Sequence, residues 1–377
     1  MLGSCHLAFA NAQVPVAEAQ AEVAAFASGE APVRSYVVTE FSLVMPTAGS
    51  GDCPDGFNQY YSERFLDGLS PQERERYEED PRLLQQALAP WYYDDPDSDP
   101  CANPSAFPDP GMLIVEGPRA MPRLEADGTV SERLLPPSQC PAPEEFERLI
   151  DGRAIDNQYA RVMGCVKGYQ PSGQAAAFEQ SAILDGSMTI LLEIEGLSGR
   201  DDDEVEVRFY SSDESVTLGT NGKPLPWATF APTAERRFHN VTSGRVRDGV
   251  LTTDRFDLRL IKAAQRLDSE LVLRDARLRL ELEPEGAVAH GYLGGYWDLE
   301  WLAHAGIRIQ DRTGLSSGKP AADTHGYTCE GKYHAVHRLA DGHPDSVTGD
   351  CTSISVLHRL RAVPAFVIAE RTGAGAS

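Results

Sequence analysis

FDLRL at residues 256–260 and ARLRLEL at residues 276–282 carry the clearest structural pattern in this chain. Apolar side chains alternate with charged ones in both, and a period of two places one face of a strand on a core and the other in water. Similar runs occur at residues 189–194, 205–210 and 287–292. Turn dipeptides such as Asp248-Gly249 separate the strands, and no strand-helix-strand rhythm intervenes. We therefore expect a mainly β protein, α+β overall, whose C-terminal domain is an antiparallel β-sandwich or a jelly-roll-like double sheet.

The chain before residue 151 has a different character. Residues 46–143 are dense in Pro, Asp and Gly, which predicts short elements and long loops. Ser70-Pro71-Gln72-Glu73 is a helix-capping sequence with proline at the first helical position, and Asp80-Pro81 opens a second helix in the same manner. We therefore divide the chain into three parts. Residues 1–13 are a signal-peptide remnant, residues 14–150 a loop-rich N-terminal region with short helices, and residues 151–377 an antiparallel β domain with C-terminal helices.

Further elements are predicted within these regions. Helices are expected at residues 143–150, 156–163, 297–305 and 333–339. The final stretch at residues 361–368 is expected to return as an edge strand, because Pro364 lacks the N–H that a central strand needs.

Residues 1–13, MLGSCHLAFANAQ, resemble the end of a signal peptide. Ala10-Asn11-Ala12 has the small-residue pattern that signal peptidase cleaves, although the basic start and most of the apolar stretch are missing. Leu2-Gly3-Ser4-Cys5 offers an alternative, a lipobox that would make Cys5 a lipid-anchored N-terminus. The remaining alternative is a chance match in a cytosolic N-terminus.

Six cysteines remain when Cys5 is set aside, and none are spaced as in zinc or thioredoxin-like motifs. An even number without such spacing predicts three disulfides formed in an oxidising compartment. The six are Cys53, Cys101, Cys140, Cys165, Cys329 and Cys351. Their order leaves many pairings open, and our expectation is sequential closure of local loops: Cys53 with Cys101, Cys140 with Cys165, and Cys329 with Cys351.

The chain is strongly acidic, with 57 Asp and Glu against 34 Lys and Arg and a formal net charge of -23. Such a surface repels phosphate backbones and anionic lipid heads, which argues against nucleic acid as a partner. No stretch approaches the ~20 apolar residues of a membrane-spanning helix, so no transmembrane segment is expected. A protein or carbohydrate ligand remains compatible with this surface. The candidate aromatic lining for it, for which core packing is the plainer interpretation, is Trp91, Tyr92, Tyr93, Tyr292, Tyr296, Trp297 and Trp301.

Acidic clusters make calcium the candidate cofactor. The first cluster, Asp95, Asp97 and Asp99, opens like a calcium loop, but Pro100 stands where the turn glycine belongs and Ala106 where the closing glutamate belongs. The other candidate carboxylates are Asp201, Asp202, Asp203, Asp341, Asp345 and Asp350. Each cluster can equally be a solvated loop.

Two weaker candidates for chemistry lie near the C-terminus. His334 and His337 share one face of a predicted helix and could hold one metal, but no third ligand stands at a recognised spacing. Residues 314–318, GLSSG, match the nucleophile-elbow pattern of hydrolases, and Asp345 and His358 follow in the hydrolase order. That elbow requires a parallel sheet, which is not predicted, so Ser316 is a weak catalytic candidate and ordinary loop sequence is the plainer interpretation.

Three stretches together resemble a group of exported proteins of Gram-negative bacteria for which no activity is known. They are CPDGFN at residues 53–58, IDNQ at 155–158 with GC at 164–165, and Cys329 with LADG at 339–342 and TGDCTSIS at 348–355. The resemblance covers most of the chain after residue 50 and implies export. It assigns no functional residue.

These observations favour an extracytoplasmic bacterial protein that is periplasmic, associated with the outer membrane or secreted. Our first interpretation is a non-catalytic binding or surface-associated protein with calcium as a candidate ligand. The alternative is an extracytoplasmic hydrolase whose site lies between the N-terminal region and the β domain, because clefts are common where domains meet.

Overall fold

The computed structural model describes residues 32–369 except 89–99, 102, 117–118, 135–139, 172, 263–269, 285–286 and 305–325. Within these residues, eight antiparallel strands form a closed barrel. In order around the barrel they are β1 (Val33–Leu43), β4 (Thr189–Glu195), β5 (Asp202–Ser212), β7 (His239–Arg247), β8 (Val250–Thr253), β10 (Glu270–Leu282), β11 (Ala289–Asp298) and β13 (Cys351–Val367). Pairing of β13 with β1, from Tyr36 opposite Pro364 to Leu43 opposite His358, closes the barrel.

The predicted β-sandwich or jelly roll is therefore wrong, whereas the mainly β class with short helices is correct. Alternation identifies one buried and one exposed face of each strand, and this pattern is shared by sandwiches and barrels. What distinguishes them here is the β1–β13 pairing, which joins opposite ends of the chain. The domain boundary near residue 150 stays a prediction, and β1 belongs to the same sheet as the strands that follow that boundary.

Shorter strands extend the sheet. β9 (Phe256–Ile261) pairs with β10 beside β8, β6 (Ala228–Phe230) pairs in parallel with the end of β13, and β12 (Gly342–Pro344) pairs with its start. β2 (Ala120–Leu124) and β3 (Val130–Leu134) form a separate hairpin. The helices are α1 (Tyr61–Asp67), α2 (Pro71–Glu79), α3 (Pro81–Leu88), α4 (Pro143–Leu149), α5 (Gln158–Met163), α6 (Gln174–Asp185), α7 (Leu299–His304) and α8 (Cys329–Leu339).

Local sequence signals place most of these helices well. The Ser70 side chain accepts a hydrogen bond from the Glu73 amide, and the Glu73 carboxylate accepts one from the Ser70 amide, which is the capping box that the sequence predicts. Asp80 caps α3 by accepting a hydrogen bond of 2.9 Å from the Arg82 amide. Capping depends only on neighbours in the chain, so it can be recognised without knowledge of the fold.

The helix predicted at residues 297–305 is confirmed as α7, which begins at Leu299 because Trp297 still lies in β11. The edge strand predicted at residues 361–368 is wrong. β13 is not an edge strand, because it pairs with β1 on one side and β11 on the other. Pro364 is tolerated because the pairing with β11 ends at Ala362, so its missing N–H falls beyond the last residue that β11 contacts.

The two ends of the barrel differ. Short connections join β4 to β5, β7 to β8 and β10 to β11 at one end. At the other end, which we call the helical end, α6 precedes β4, α7 follows β11, and α8 precedes β12 and β13. Helix α6 packs on β1 and β4, while α7 and α8 pack on each other and on β13.

Three disulfides are present, as the cysteine count predicts, but the sequential pairing is wrong. The bonds are Cys53–Cys165, Cys101–Cys329 and Cys140–Cys351, with Cα–Cα distances of 5.8, 4.9 and 5.4 Å. Two of them join the N-terminal region to α8 and to the start of β13. Disulfide pairing requires Cα atoms within about 7 Å, so it follows the three-dimensional fold and not the order of cysteines along the chain.

Candidate functional site

A fully buried histidine lies inside the barrel at position 358. Along β13 the even-numbered residues His358, Leu360 and Ala362 are buried, whereas Arg359 and Arg361 are exposed, so the imidazole is directed inward. Neither ring nitrogen of His358 has a hydrogen-bond partner among the described residues. Buried polar groups without a partner are rare in native proteins, and each calls for a physical explanation.

Aromatic side chains enclose this histidine. Phe41 of β1 stacks on the imidazole with ring centroids 4.6 Å apart, and the Trp297 ring lies 6.2 Å away. The indole Nε1 of Trp297 is also buried without a hydrogen-bond partner in the described structure. Burial, and then the positive charge of Lys262, hold the pKa of His358 well below its usual range. The ring is therefore neutral and offers one donor and one acceptor.

A buried ion pair lies above Trp297 at the helical end. Lys262 occupies the next inward position after Leu258 and Leu260 on β9, and its Nζ lies 4.6 Å from the centroid of the Trp297 ring. The same Nζ lies 3.1 Å from Oε1 of Glu179 in α6, with both side chains largely buried. A helix and the end of a strand thus bring opposite charges together against an aromatic wall.

A second lysine approaches from α8. Lys332 donates a hydrogen bond of 3.3 Å from its Nζ to the carbonyl of Leu302, and the Nζ lies 5.6 Å from the centroid of the Tyr327 ring. Burial, and then the like charge of Lys262, lower the pKa of Lys332 to about 7. We call the group formed by Phe41, Glu179, Lys262, Trp297, Lys332 and His358 the helical-end cluster.

This cluster has the composition of a small-molecule site. Such sites combine apolar and aromatic walls with a few convergent polar groups, and titratable groups with shifted pKa values are concentrated in them. Eight-stranded barrels have an interior just wide enough for side chains or for one small ligand. Tyr159 of α5 extends the aromatic wall, with its ring centroid 5.3 Å from that of Trp297.

A different polar group lies on the outward face of β13, beneath the N-terminal region. Ser355 donates to Asp341 twice, from its amide to Oδ1 at 2.7 Å and from its hydroxyl to Oδ2 at 2.8 Å, while the Gln158 amide donates to the same hydroxyl at 3.1 Å. Asn157 accepts from the Leu357 amide at 3.2 Å. These contacts fasten the start of α5 and the segment after α8 to β13.

Next to this group, a serine, a histidine and an aspartate are joined in series. The Ser353 hydroxyl lies 2.6 Å from Nδ1 of His343, and Nε2 of His343 lies 2.7 Å from Oδ2 of Asp275. His343 and Asp275 both adopt left-handed backbone conformations, with φ of 51° and 48°, which are uncommon for these residue types and recur at functional sites. Ser353 itself is 0% exposed, so its hydroxyl does not meet solvent in this conformation.

The acidic residues singled out in the sequence mostly serve their own loops. Asp201 accepts from the Asp248 amide, Asp202 from the amides of Ser198 and Gly199, and Asp203 pairs with Arg247. Asp345 accepts from the amides of Val347 and Thr348, and Asp350 lies in the same turn. Asp95, Asp97, Asp99 and Ser316 lie outside the described residues.

The two helix histidines contact backbone carbonyls. Nε2 of His334 lies 2.8 Å from the Phe107 carbonyl, and Nδ1 of His337 lies 2.7 Å from the Tyr333 carbonyl. In the part of the chain that the structure describes, no three His, Cys, Asp or Glu side chains are grouped to hold a metal ion. The calcium hypothesis therefore stays a prediction. Its first candidate cluster, at residues 95–99, lies outside the described residues, so the structure does not test it.

Most of the helical-end cluster was missed by sequence reasoning. One usable signal was present: Lys262 continues the inward series of residues 256, 258 and 260, so a lysine directed toward a core could have been recognised. Trp297 is among the aromatic residues that the sequence offers as a ligand-binding lining. Glu179 and Lys332 carry no such signal, because only the packing of helices on the barrel brings them near it. His358 entered the sequence reasoning only as the histidine that follows Ser316 in the hydrolase order.

The fold and the cluster define a disulfide-bonded β-barrel protein with polar groups enclosed at one end. Comparison of the chain with protein-family models, with curated proteins and with solved structures finds no match. Among the described residues, no helix is long and apolar enough to cross a membrane.

Proposed function

We propose that this protein is an extracytoplasmic binding protein that holds a small molecule inside the helical end of its barrel. The supporting observation is the burial of His358 and Trp297 with polar atoms that lack partners in the described structure. A buried donor or acceptor left without a partner costs about 1–3 kcal/mol, so a bound polar group that completed these hydrogen bonds would recover a substantial free energy.

The three disulfides support the proposed location, because such bonds form and persist in oxidising compartments. Periplasmic, outer-membrane-associated and secreted proteins of bacteria all meet that condition. A lipid anchor at Cys5 belongs to the same proposal, and that residue lies outside the described part of the chain. Intact-mass analysis of protein recovered from a bacterial host would test cleavage after Ala12 against lipid attachment at Cys5.

Binding can be tested on protein purified without detergent from an oxidising compartment. Organic extraction followed by mass spectrometry is expected to release a small molecule, and the extracted protein should regain thermal stability when the extract is returned. The His358→Phe variant is expected to fold but to carry no such molecule. An empty wild-type protein that no extract stabilises would show that ordered water alone completes the buried groups, and the proposal would fail.

Hydrolysis is the second candidate, and the hydrogen-bonded series Ser353, His343 and Asp275 is the observation that favours it. This series lies where the N-terminal region meets the barrel, with the Phe146 ring 4.8 Å from the His343 ring. If this series is catalytic, a panel of ester substrates should show turnover that Ser353→Ala abolishes and Ser316→Ala does not. Turnover that Ser353→Ala does not change would show that these three residues are not catalytic.

The calcium version of the binding function has a direct test. Elemental analysis of the purified protein reports a resident metal, and calcium is expected to raise the melting temperature if Asp95, Asp97 and Asp99 hold it. A melting temperature that neither calcium nor EDTA changes would contradict the calcium hypothesis. It would not bear on the proposed site inside the barrel.

A further inference from the structure

We infer that this protein docks on the surface of a lipid bilayer through an exposed apolar patch. Five side chains that are each 45–67% exposed form the patch: Leu218, Leu225, Trp227, Phe366 and Ile368. Single exposed apolar residues are ordinary, whereas a group of them close together marks a surface that meets a partner or a membrane. Docking of this kind goes beyond the proposed binding inside the barrel and is independent of it.

The aromatic half of the patch is built where the end of β13 meets β6. The Trp227 amide donates a hydrogen bond of 2.7 Å to the Pro364 carbonyl, and the Trp227 ring centroid lies 5.7 Å from that of Phe366. The Ile368 amide donates at 2.9 Å to the Phe230 carbonyl, which continues the pairing of the two strands. These apolar side chains are therefore held in water by a fixed backbone.

The two leucines lie in the loop just before Trp227. The Leu225 amide donates at 2.8 Å to the Thr217 carbonyl, and Leu218 pairs with Pro224 across the loop. Backbone pairing thus gives this loop a defined shape as well.

Trp227 occupies a strained position. Its backbone is left-handed, with φ of 65°, which is an outlier for a bulky residue and which asparagine or glycine adopts more readily. The side chain is 45% exposed, so it gains only part of the packing that would compensate for this strain within the fold. Strained residues recur at functional sites, and a contact made outside the chain explains why an indole is held here.

The charge of the patch suits a bilayer. Residues 215–234 and 362–369 contain a single charged side chain, that of Lys223, in a chain that is 24% charged. The neighbouring Glu214 accepts a hydrogen bond from the Ala231 amide. A carboxylate within the patch would lose its water on docking, which is costly, whereas a lysine can bury its stem and keep its ammonium among the lipid headgroups.

The area of the patch favours a bilayer over a second copy of the chain. A stable protein interface buries about 800 Å² on each partner. With at most about 250 Å² per side chain, the five side chains at these exposures provide no more than roughly 650 Å². Peripheral membrane binding has no such threshold, because its strength grows with each apolar group inserted, and the amphipathic indole is well suited to the membrane interface.

The chain also enters the barrel close to the patch. Tyr36 of β1 lies opposite Pro364, whose carbonyl accepts the hydrogen bond from Trp227. Because β1 begins at Val33, the preceding segment joins the barrel beside the patch. A lipid anchor at Cys5 would therefore hold the same part of the protein near a membrane.

Co-sedimentation of the full chain with phosphatidylcholine vesicles tests the docking. The wild-type protein is expected to bind, and Trp227→Asn and Phe366→Ser are each expected to weaken binding about fivefold, since each removes a side chain that is about half exposed. Val347→Ser is the matched control, because it removes an apolar side chain that is 90% exposed outside the patch. A lipid at Cys5 would be common to all variants and would not produce these differences.

Stability separates docking from a role in folding. Asparagine tolerates the left-handed backbone, so Trp227→Asn is expected to be at least as stable as the wild type in urea while it binds vesicles more weakly. A wild-type protein that does not bind vesicles, or variants that bind as tightly as Val347→Ser, would overturn the inference. If Trp227→Asn fails to fold, Phe366→Ser still decides between these outcomes.

Two further results would contradict docking on lipid. Adding phosphatidylglycerol to the vesicles is expected to weaken binding at low salt, because the chain has a formal net charge of -23. Tighter binding to these anionic vesicles would attribute the contact to cations and not to the apolar patch. A wild-type dimer in analytical ultracentrifugation that Trp227→Asn converts to a monomer would show that the patch joins two copies of the chain.

Discussion

At position 358 the barrel encloses an imidazole, whereas the inward residues on either side of it along β13, Val356 and Leu360, are aliphatic. Replacement by phenylalanine would keep the stacking on Phe41 and remove two buried nitrogens that lack partners in the described structure. We expect His358→Phe to raise the free energy of unfolding of the ligand-free protein by about 1–3 kcal/mol. Urea unfolding at neutral pH would measure it. A decrease of similar size in the free energy of unfolding would mean that water molecules are hydrogen-bonded to both nitrogens in the empty barrel.

Asp341 makes the stability of the protein depend on pH. Burial raises the pKa of its carboxyl from 3.8 to about 7. The hydrogen bonds from Ser355 and the positive charge of Arg153 lower this pKa, whereas the negative charge of Asp156 raises it. Between these two values the folded state binds a proton that the unfolded state has released. The stabilising contribution is therefore complete below pH 3.8 and is lost as pH rises through about 7.

We expect Asp341→Asn to flatten this dependence. Its amide oxygen can still accept from Ser355, but it has no proton to lose, so the variant should gain stability relative to the parent by about 1.4 kcal/mol per pH unit across that range. Thermal melts from pH 4.5 to pH 8 would test this, with the exposed Asp213→Asn as control. Parallel pH profiles of Asp341→Asn and the parent would show that the carboxyl is ionised in the fold.

Strand β11 contains a position that only glycine can occupy. A Cβ atom on Gly291 would lie 1.9 Å from the carbonyl oxygen of Arg279 in the neighbouring strand β10. The alanine methyl would force the two strands apart, so we expect Gly291→Ala to cost about 1–3 kcal/mol of stability, as overpacking does. Gly199→Ala, whose added Cβ would meet nothing within 4 Å, is the matched control.

Chemical unfolding of both glycine variants would decide this prediction. A Gly291→Ala protein as stable as Gly199→Ala would mean that β10 and β11 do not approach as closely as described.

The elements themselves show where sequence reasoning succeeds. Helix α2 was predicted from Ser70 and Glu73 because a cap is a contact between residues three apart. The helix predicted at residues 297–305 begins only at Leu299, because Trp297 pairs with Ile354 of β13 and so belongs to β11. Strand pairing depends on residues distant in sequence, and it overrode the local preference.

Across the whole molecule, the disulfides fasten the N-terminal region to the barrel. The bonds Cys101–Cys329 and Cys140–Cys351 span 228 and 211 residues. Removing Cys140–Cys351 by a double alanine substitution is expected to cost about 3–5 kcal/mol, because closing so long a loop removes much entropy from the unfolded chain. Unfolding in denaturant would measure the loss.

Peptide mapping under non-reducing conditions tests the pairing directly. Recovery of peptides that join Cys329 to Cys351, or Cys53 to Cys101, would contradict the connectivity described here.

The amino-acid order alone specifies the alternating strands, the capped helices, the acidic charge and the presence of three disulfides, because each follows from composition or from near neighbours. It gives no comparable signal for β7, β8 or the first ten residues of β13. It does not specify whether the alternating strands form two sheets or one closed barrel, since both need the same inward and outward faces. Closure, cysteine partners and the meeting of Glu179, Lys262, Lys332 and His358 come from contacts between residues far apart in the chain. Such contacts form only when the whole sheet is assembled, and the candidate site exists only there.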